Sequence, residues 1–533
     1  STSPAIEGWP AAGSTVTWRA HVRNWSAAPR TLSYVWRVNG VEVKQGSVSL
    51  AANAYTTVDL PRTWTFTRER LSFDIAGESL EIFTDALAVG FWVEQSVYEH
   101  FRIHQPKLGI GSESFDDWAQ RTIGFYNDMA ALAVYPETPN GVHDRWRVQK
   151  IVIVPDDALP LNGLPDDASP GANGGSHPDK DDRTVDLMWG FREDVWLQYA
   201  NTTDLSPSNQ FYLGYGVLHE MGHARYLVDI YAWNVFQRAP NHAINITENG
   251  TRIVGNYIPS RGFRTPEQGL MNEHYTFIDR YSAIALNFIA GRRAVMGNYN
   301  EPRNFGEFLN DFPRENRLTV RDRNGTPIPN ADVWFYYSVA NGEAWYATNY
   351  DDVPDLKLRT DEKGQVLVGR APFATNGKVV HTYGMTNGVA IVRVATDAKV
   401  EYGFLESRLF NLAYWRGNTD FADHDLFVGL ECDATGPRLA APAWNTTTDG
   451  NVTLDWDPLA GATLYRVYAS TNLGRPRVIA TTTATEANVK VSGRTHWWVE
   501  AEVGTCGTRR SATGLLNAPA APATAPRRRA VRH

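Results

Sequence analysis

One stretch of the chain, from Val217 to Tyr231, combines residue types and spacings that could hold a metal ion. It contains the pattern His-Glu-x-x-His at His219, Glu220 and His223. On a helix, residues four apart lie on one face, so both imidazoles can bind one ion with the carboxylate beside it. Neutral imidazole suits Zn²⁺, and a zinc ion with an open position lowers the pKa of a bound water. The pattern therefore predicts a helix with a hydrolytic zinc site and Glu220 as general base.

The residues around this pattern favour a buried helix over a chance match on a surface helix, which would bind no zinc. An apolar run precedes the pattern, and the small residue Gly222 lies inside it. A zinc site of this kind needs a third protein ligand. The sequence offers Asp229, Glu248 and Glu273, and we expect Asp229.

Asp229 can serve as a ligand only if the helix ends soon after His223. Each helical residue turns by about 100°, so a continuing helix would rotate Asp229 away from the metal. The stretch 224–238 contains no Gly or Pro, and an unbroken helix is therefore a second possibility. Glu248 and Glu273 remain the alternative ligands, and any of the three would complete the same kind of site.

The stretch 219–231 resembles the zinc-binding motif of the metzincin clan of zincin metallopeptidases. In that clan, His-Glu-x-x-His-x-x-Gly-x-x-His/Asp places the third ligand where Asp229 stands. The residues 229–231 are also similar to the end of the motif in immune-inhibitor-type secreted peptidases. Tyr226 occupies the clan's glycine position, where the chain leaves the helix with positive φ. A tyrosine there would cost about 1–2 kcal/mol.

A downstream stretch, 268–275, extends this resemblance. Met271 within it is similar to the methionine of the Met-turn that lies beneath the metal in metzincins, and His274 or Tyr275 could then assist at the oxyanion. A helix is predicted to follow over 276–290. The pair Asn272-Glu273 instead resembles the ligand-bearing helix of the thermolysin-like clan.

These resemblances imply a catalytic zinc bound by His219, His223 and Asp229, with Glu220 as the general base and a peptide bond as the substrate. The order of predicted elements is also what a zincin domain displays. A helix over Ser114 to Leu132, with Ser114 as its N-cap, is followed by a strand over 148–155, a long loop over 156–183 and an edge strand over 183–189. We therefore expect an α+β zincin catalytic domain over residues 86–312.

Two other groups of possible metal ligands lie within this domain. The carboxylates of the 156–183 loop could bind Ca²⁺, but their spacing matches no ligand pattern, and a solvated loop is the favoured interpretation. His100 and His104 are four residues apart, but no third ligand accompanies them, so we interpret them as ordinary histidines.

All-β modules are predicted on both sides of the catalytic domain. Residues 1–85 alternate apolar and polar side chains, contain an Asn39-Gly40 hairpin turn and resemble adhesion-type immunoglobulin-like modules. Residues 313–432, with an Asn-Gly turn at Asn324, resemble the transthyretin-like accessory sandwich of secreted enzymes, itself an immunoglobulin-like β-sandwich.

The remaining sequence predicts one more module and a tail. Residues 433–516 resemble a fibronectin type III module with a buried Trp456, and the Ala/Pro-rich and then basic stretch 517–533 is predicted to be disordered. Cys432 and Cys506 are compatible with one disulfide or with two buried thiols.

Composition places this architecture in a broad class. The 533 residues are 43% apolar, which is enough for several globular cores. A net charge of −8 argues against nucleic acid as the partner. No apolar run approaches the roughly 20 residues of a membrane span. The sequence begins at Ser1 without a signal-peptide pattern, as a secreted protein does after its leader is removed.

We therefore expect a secreted, extracellular zinc endopeptidase acting on proteins, glycoproteins included. The alternative is an adhesion or carbohydrate- or protein-binding multidomain protein with a zincin-like scaffold. Glu220 favours the enzyme, because a scaffold needs no carboxylate beside its metal. The sequence carries no indication of oligomeric state.

Overall fold

The protein forms two compact units, Ser1–Glu431 and Cys432–His533, and consists mainly of β-strands. The computed structural model describes residues 1–3, 9–159, 179, 182–192, 203–225, 227–235, 242–254, 256–258, 263–272, 276–290, 310–340, 348–373, 381–382, 385–386, 388–430, 432 and 435–520. No helix in these parts of the chain is both long and apolar enough to cross a membrane.

The N-terminal part of the first unit is a β-sandwich. Its strands are β1 (Thr2–Ser3), β2 (Thr15–Arg23), β3 (Arg30–Val38), β4 (Val41–Leu50), β5 (Tyr55–Thr63), β6 (Arg70–Ile75) and β7 (Glu78–Phe83). The sheets β1-β2-β5 and β4-β3-β6-β7 enclose one core that contains Trp18 and Trp36. Asn39 and Gly40 both have positive φ and join β3 to β4, as the Asn-Gly signal predicts.

A small parallel sheet follows, built from β8 (Leu87–Glu94), β9 (Trp146–Val154) and β10 (Leu187–Phe191) in the order β10-β8-β9. Every residue of β8 is buried, as expected for a parallel strand covered on both faces. The predicted strand at 148–155 and edge strand at 183–189 correspond to β9 and β10.

Two helices pack against this sheet, α1 (Gln95–His104) and α2 (Phe115–Leu132). Ser114 caps α2 by accepting a hydrogen bond from the Asp116 amide, which confirms the predicted N-cap. The helices and the sheet meet in a cluster of aromatic rings formed by Phe91, Phe101, Phe115, Trp118 and Phe191.

The chain then forms α3 (Tyr215–His223), a 3-10 turn (Ile230–Trp233), three short strands and α4 (Arg280–Ile289). The short strands are β11 (His242–Ile244), β12 (Thr247–Glu248) and β13 (Thr251–Arg252). Asp279 caps α4, because its side chain accepts a hydrogen bond from the Ser282 amide at 2.7 Å.

A second β-sandwich, which we call the accessory sandwich, completes the first unit. Its elements are β14 (Glu315–Arg321), β15 (Asp332–Tyr337), β16 (Val339–Ala340), β17 (Thr348–Tyr350), β18 (Leu356–Arg359), β19 (Gln365–Gly369), β20 (His381–Thr382), β21 (Met385–Thr386), β22 (Val389–Ala395), β23 (Val400–Glu406), α5 (Ser407–Trp415) and β24 (Phe421–Phe427). The sheets β19-β14-β24 and β18-β15-β22-β23 share one apolar core.

The predicted turn at Asn324 lies between two strands that belong to different sheets. Gly325 has a positive φ and the turn closes, but β14 and β15 belong to different sheets. Leu318 of β14 and Val333 of β15 both face the common core. The alternation of apolar and polar residues identifies the buried face of a strand, but it does not identify the sheet to which the strand belongs.

The second unit is a further β-sandwich with Trp456 buried in its core, as predicted. Its strands are β25 (Leu439–Ala441), β26 (Thr446–Thr447), β27 (Asn451–Trp456), β28 (Leu464–Thr471), β29 (Arg477–Thr482), β30 (Glu486–Lys490), β31 (Arg494–Glu502), β32 (Thr508–Arg510) and β33 (Gly514–Asn517). Cys432 and Cys506 form a disulfide, which decides between the two states that the sequence allows. The tail beyond residue 520 lies outside the described residues.

The capping residue Asp279 generates a prediction about pH. Burial and the nearby charge of Glu267 raise the pKa of its carboxyl from 3.8 to about 7. Between these two values the folded state binds the proton more tightly than the unfolded state, so stability falls as pH rises through this window and stays lowered above it.

Asp279→Asn removes this charge and keeps a good cap. We expect the melting temperature of the variant to exceed that of the wild type above a pH of about 7 and to lose this advantage below about 4. Calorimetry over a pH series, in the presence of a chelator, measures the difference. A difference that does not change with pH would contradict the prediction.

Candidate metal centre

Helix α3 ends at His223. The Leu227 amide donates a hydrogen bond to the Gly222 carbonyl at 3.1 Å, which closes the end of the helix. The alternative of an unbroken helix over 224–238 is therefore wrong. Tyr226, at the glycine position of the metzincin pattern, lies outside the described residues.

Because the helix ends there, the chain turns back and brings Asp229 to the histidine pair. Oδ1 of Asp229 lies 3.0 Å from Nε2 of His219 and 3.2 Å from Nε2 of His223. One donor atom of each of the three residues lies within 4.8 Å of the others. The side chain of Asp229 is 0% exposed and that of His223 is 3% exposed, whereas that of His219 is 16% exposed. His219 is therefore the most exposed side chain of the three.

Backbone carbonyls fix both imidazole rings. Nδ1 of His219 lies 2.9 Å from the Leu270 oxygen, and Nδ1 of His223 lies 2.9 Å from the Leu227 oxygen. A carbonyl oxygen only accepts hydrogen bonds, so each ring carries a proton on Nδ1 and turns Nε2 towards Asp229. This arrangement is typical of histidine ligands, whose second nitrogen donates to an outer partner.

The atoms that face one another in this group require a positive charge between them. Nε2 of a neutral imidazole and a carboxylate oxygen both accept hydrogen bonds, so they repel each other unless a proton or a metal ion lies between them. Nε2 of His223 and Oδ2 of Asp229 are buried without a hydrogen-bond partner in the described part of the chain. Two imidazole nitrogens and one carboxylate are a ligand set that zinc accepts, so the residues fit this ion.

The pKa values show the same need for positive charge. Burial disfavours the imidazolium form of His223, but the Asp229 carboxylate outweighs burial and raises the pKa of this histidine to about 9. Burial by itself would raise the pKa of Asp229, but the neighbouring imidazolium charges hold it below its usual range. Without a metal ion, protons on the histidines therefore balance the buried carboxylate.

A methionine-containing turn, within the stretch 268–275, lies against α3. The Asn272 amide donates to the Gly269 carbonyl at 2.8 Å, and Met271 lies inside this turn. A Cβ atom at Gly222 would lie 3.1 Å from the Met271 sulfur, so a larger residue there would displace the methionine. The Ile230 amide donates to the Met271 carbonyl at 3.1 Å, which connects the turn to the residue after Asp229.

Glu220 lies beside the two histidines on α3. It is half-buried, and its negative charge contributes to the raised pKa of both His219 and His223. Its carboxylate makes no hydrogen bond to another residue in the described part of the chain.

The structure describes one of the two alternative third ligands, Glu248, but not the other, Glu273. Glu248 is not beside the histidines: its carboxylate binds the Arg393 guanidinium at 2.6 and 2.8 Å and the Tyr402 hydroxyl at 2.9 Å. Its assignment as a ligand is therefore corrected, because an arginine already neutralises it. Glu273, and with it His274 and Tyr275, lies outside the described residues.

The other possible ligands are separate from this centre. The rings of His100 and His104 lie 4.5 Å apart, and His104 is within hydrogen-bonding distance of Lys107. Most of the 156–183 loop, considered for Ca²⁺, lies outside the described residues, and Asp182 at its end binds Lys150. In the described part of the chain, the His219 group is the one place where three His, Cys, Asp or Glu side chains converge.

Two functional groups of this centre carry no sequence signal. They are the carbonyls of Leu227 and Leu270, and any residue type presents the same carbonyl. Tyr231 has a partial signal, because it follows Asp229 by two residues, and its ring lies parallel to that of His219 at a centroid distance of 6.1 Å.

Comparisons with known proteins show no family for this chain: no protein-family model and no curated protein matches it. Solved structures that match include fibronectin III-like modules. FN3tt is 19% identical, with 15% of this chain and 95% of that chain covered and a TM-score of 0.12. The fibronectin(III)-like modules of Clostridium thermocellum CbhA are 12% identical, with 39% and 92% covered and a TM-score of 0.15.

A beta-1,2-glucanase from Parabacteroides distasonis is 13% identical, with 38% of this chain and 30% of that chain covered and a TM-score of 0.14. TM-scores of this size carry no argument about function. The function of this chain is therefore argued from the geometry of the His219, His223 and Asp229 group.

The convergence of these three side chains predicts one zinc ion per chain. Asp229→Asn is expected to lower zinc affinity by more than about a hundredfold, the upper end of what altering a ligand's hydrogen-bond partner costs. His100→Ala is the matched control, because it removes a buried histidine outside the group and should leave zinc affinity unchanged. Competition with a chromophoric chelator measures both. Equal affinities of the wild type and the Asp229 variant would exclude Asp229 as a ligand.

Zinc binding should also release protons. His223 has a pKa of about 9 in the metal-free protein and must be deprotonated to bind a metal. We therefore expect zinc affinity to fall by about tenfold per pH unit for each displaced proton as pH is lowered below about 9. Titration calorimetry in buffers of different ionisation enthalpy counts the protons. An affinity that does not change with pH would contradict this expectation.

Proposed function

We propose that this protein is a secreted zinc-dependent endopeptidase that hydrolyses peptide bonds of extracellular proteins, glycoproteins included. The observation that carries the proposal is the convergence of His219, His223 and the fully buried Asp229, with both imidazoles oriented by backbone carbonyls. Glu220 lies on the same helix, beside the two histidines whose pKa values its charge helps to raise. This is the set of groups that hydrolysis by a zinc-activated water requires.

The roles of the residues follow from their chemistry. His219, His223 and Asp229 would hold the zinc ion, which when bound lowers the pKa of water and polarises a carbonyl group. Glu220 would accept the proton of the attacking water and then donate it to the leaving amine. The partial exposure of His219 gives substrate a side from which to approach.

The surrounding elements support a zincin-type α+β domain over residues 86–312. Helix α2, strands β9 and β10, helix α3 and the turn with Met271 follow one another in the order that the resemblance implies. The Cys432–Cys506 disulfide supports secretion, because disulfides persist in oxidising compartments.

A second candidate function is adhesion, or the binding of a carbohydrate or a protein, with the metal group as part of a scaffold. The observation that favours it is the extent of β-sandwich structure: the N-terminal sandwich, the accessory sandwich and the second unit. The two candidates differ in what they require of Glu220, because only the peptidase needs its carboxylate.

Mapping of cleavage sites by mass spectrometry tests the proposal. Mixed proteins and mucin-like glycoproteins would be incubated with the zinc-loaded wild type and with Glu220→Gln, which keeps the shape of the side chain and removes its basicity. The variant should bind zinc as the wild type does and cleave at least about a hundredfold more slowly, the lower limit for loss of a general base.

Glu99→Gln, an exposed change on α1, is the matched control and should cleave like the wild type. Zinc-loaded wild type that makes no cuts in any of these substrates would argue against the endopeptidase and favour the binding protein.

A further inference from the structure

Residues 263–272, here called the turn segment, contact the metal centre through backbone groups. The Leu270 carbonyl binds Nδ1 of His219, and the Met271 carbonyl accepts a hydrogen bond from the amide of Ile230, next to Asp229. The Thr265 amide also donates to Oδ1 of Asn234, just after the 3-10 turn, at 2.9 Å. The turn segment thus positions His219 directly. It also positions the chain on the C-terminal side of Asp229.

The accessory sandwich holds the other side of the turn segment. The Thr265 hydroxyl donates to the Glu406 carboxylate at 2.5 Å, and the Arg408 guanidinium donates to the Glu267 carboxylate at 3.1 Å. Arg408 also binds Glu406 through two hydrogen bonds of 2.7 and 3.0 Å. In addition, the rings of Phe263 and Phe404 stack with their centroids 4.5 Å apart.

Glu267 transmits this contact to the turn itself. Its backbone carbonyl accepts a hydrogen bond from the Asn272 side chain at 2.7 Å, and its carboxylate accepts one from the Tyr281 amide at 3.3 Å. Asn272 in turn closes the tight turn with Gly269. A shift of Glu267 would therefore move the carbonyl groups that bind His219 and the residue after Asp229.

The ion pairs of Arg408 are largely buried. The side chain of Arg408 is 8% exposed, that of Glu406 6% and that of Glu267 13%. Burial opposes the charge of Arg408, but the two carboxylates hold its pKa above its usual range. Charge-assisted hydrogen bonds of this kind are short and directional, and removing one partner leaves the others unpaired and buried.

We infer that Arg408 and Glu406 of the accessory sandwich are positioning residues of the metal centre. The sandwich completes the site by holding the turn segment, and the site is expected to bind metal weakly when this contact is broken. The inference rests on the metal site in the proposed function, but it does not require that the protein cleave peptides.

Arg408→Met tests it, since methionine keeps much of the length of the side chain and removes the charge. Arg393→Met is the matched control. Arg393 also belongs to the accessory sandwich and forms a buried ion pair with Glu248 in the same unit, but it does not contact the turn segment. Both variants should lose melting temperature, because each leaves a buried carboxylate without its arginine.

The two variants are expected to differ at the metal. Arg408→Met should lower zinc affinity by about 10–100-fold, the usual effect of disturbing the groups that orient metal ligands, and Arg393→Met should not change it. The visible spectrum of the cobalt-substituted proteins gives a second readout, because it reports ligand geometry. We expect it to change in the Arg408 variant alone.

Thr265→Val is a milder variant for the case in which Arg408→Met does not fold. It removes only the hydroxyl that binds Glu406, and zinc affinity should fall by about fivefold, the effect of one hydrogen bond.

Zinc affinity equal to that of the wild type in the Thr265 and Arg408 variants would overturn the inference. An equal loss in the Arg393 variant would also overturn it, since general stability would then explain both. Wild type that binds no zinc overturns the inference together with the metal site. Wild type that binds zinc but cleaves nothing overturns the peptidase alone, and the affinities still decide the inference.

Discussion

The carboxylate of Asp229 is completely buried between two imidazoles, and an ionised carboxylate is costly to bury without compensating positive charge. The compensation can come from protons on the histidines or from a metal ion in their place. Either one fits the orientation of both rings, because each turns Nε2 towards the carboxylate while Nδ1 donates to a backbone carbonyl.

Much of the surrounding structure meets this one requirement. Helix α3 ends at His223, so the chain can return to place Asp229 against both rings. The turn around Met271 supplies a carbonyl to His219 and packs its sulfur against Gly222, where no side chain intervenes. The accessory sandwich holds that turn through the buried Arg408, which donates a hydrogen bond to the Glu267 carboxylate. Local geometry at the centre therefore depends on residues far apart in the sequence.

The sequence predicts the parts of this site that depend on side-chain type. It does not predict the parts that depend on the course of the backbone and on backbone carbonyls. His219, Glu220 and His223 follow from spacing on a helix, and the N-cap at Ser114 follows from side-chain chemistry. The end of α3 could not be predicted from the sequence, because the stretch that follows it, 224–238, contains no glycine or proline. The carbonyls that orient the rings are also unreadable from sequence, since every residue has one.

Long-range pairing is the other limit. Glu248 is a reasonable ligand until Arg393, far along the chain, is found beside it, and a single sequence does not record which charges meet. The Asn324 turn shows the same limit in the backbone, because local turn chemistry is correct there but the strand that follows joins the opposite sheet.

The disulfide of the second unit affects what happens when a peptidase cuts the backbone of that unit. Cys432 stands at the start of that unit and Cys506 near its end, 74 residues apart in sequence. A single cut in the backbone anywhere between them leaves the two pieces covalently joined. A molecule nicked in this way would keep its last β-strands, and the damage would be visible on a gel only after reduction.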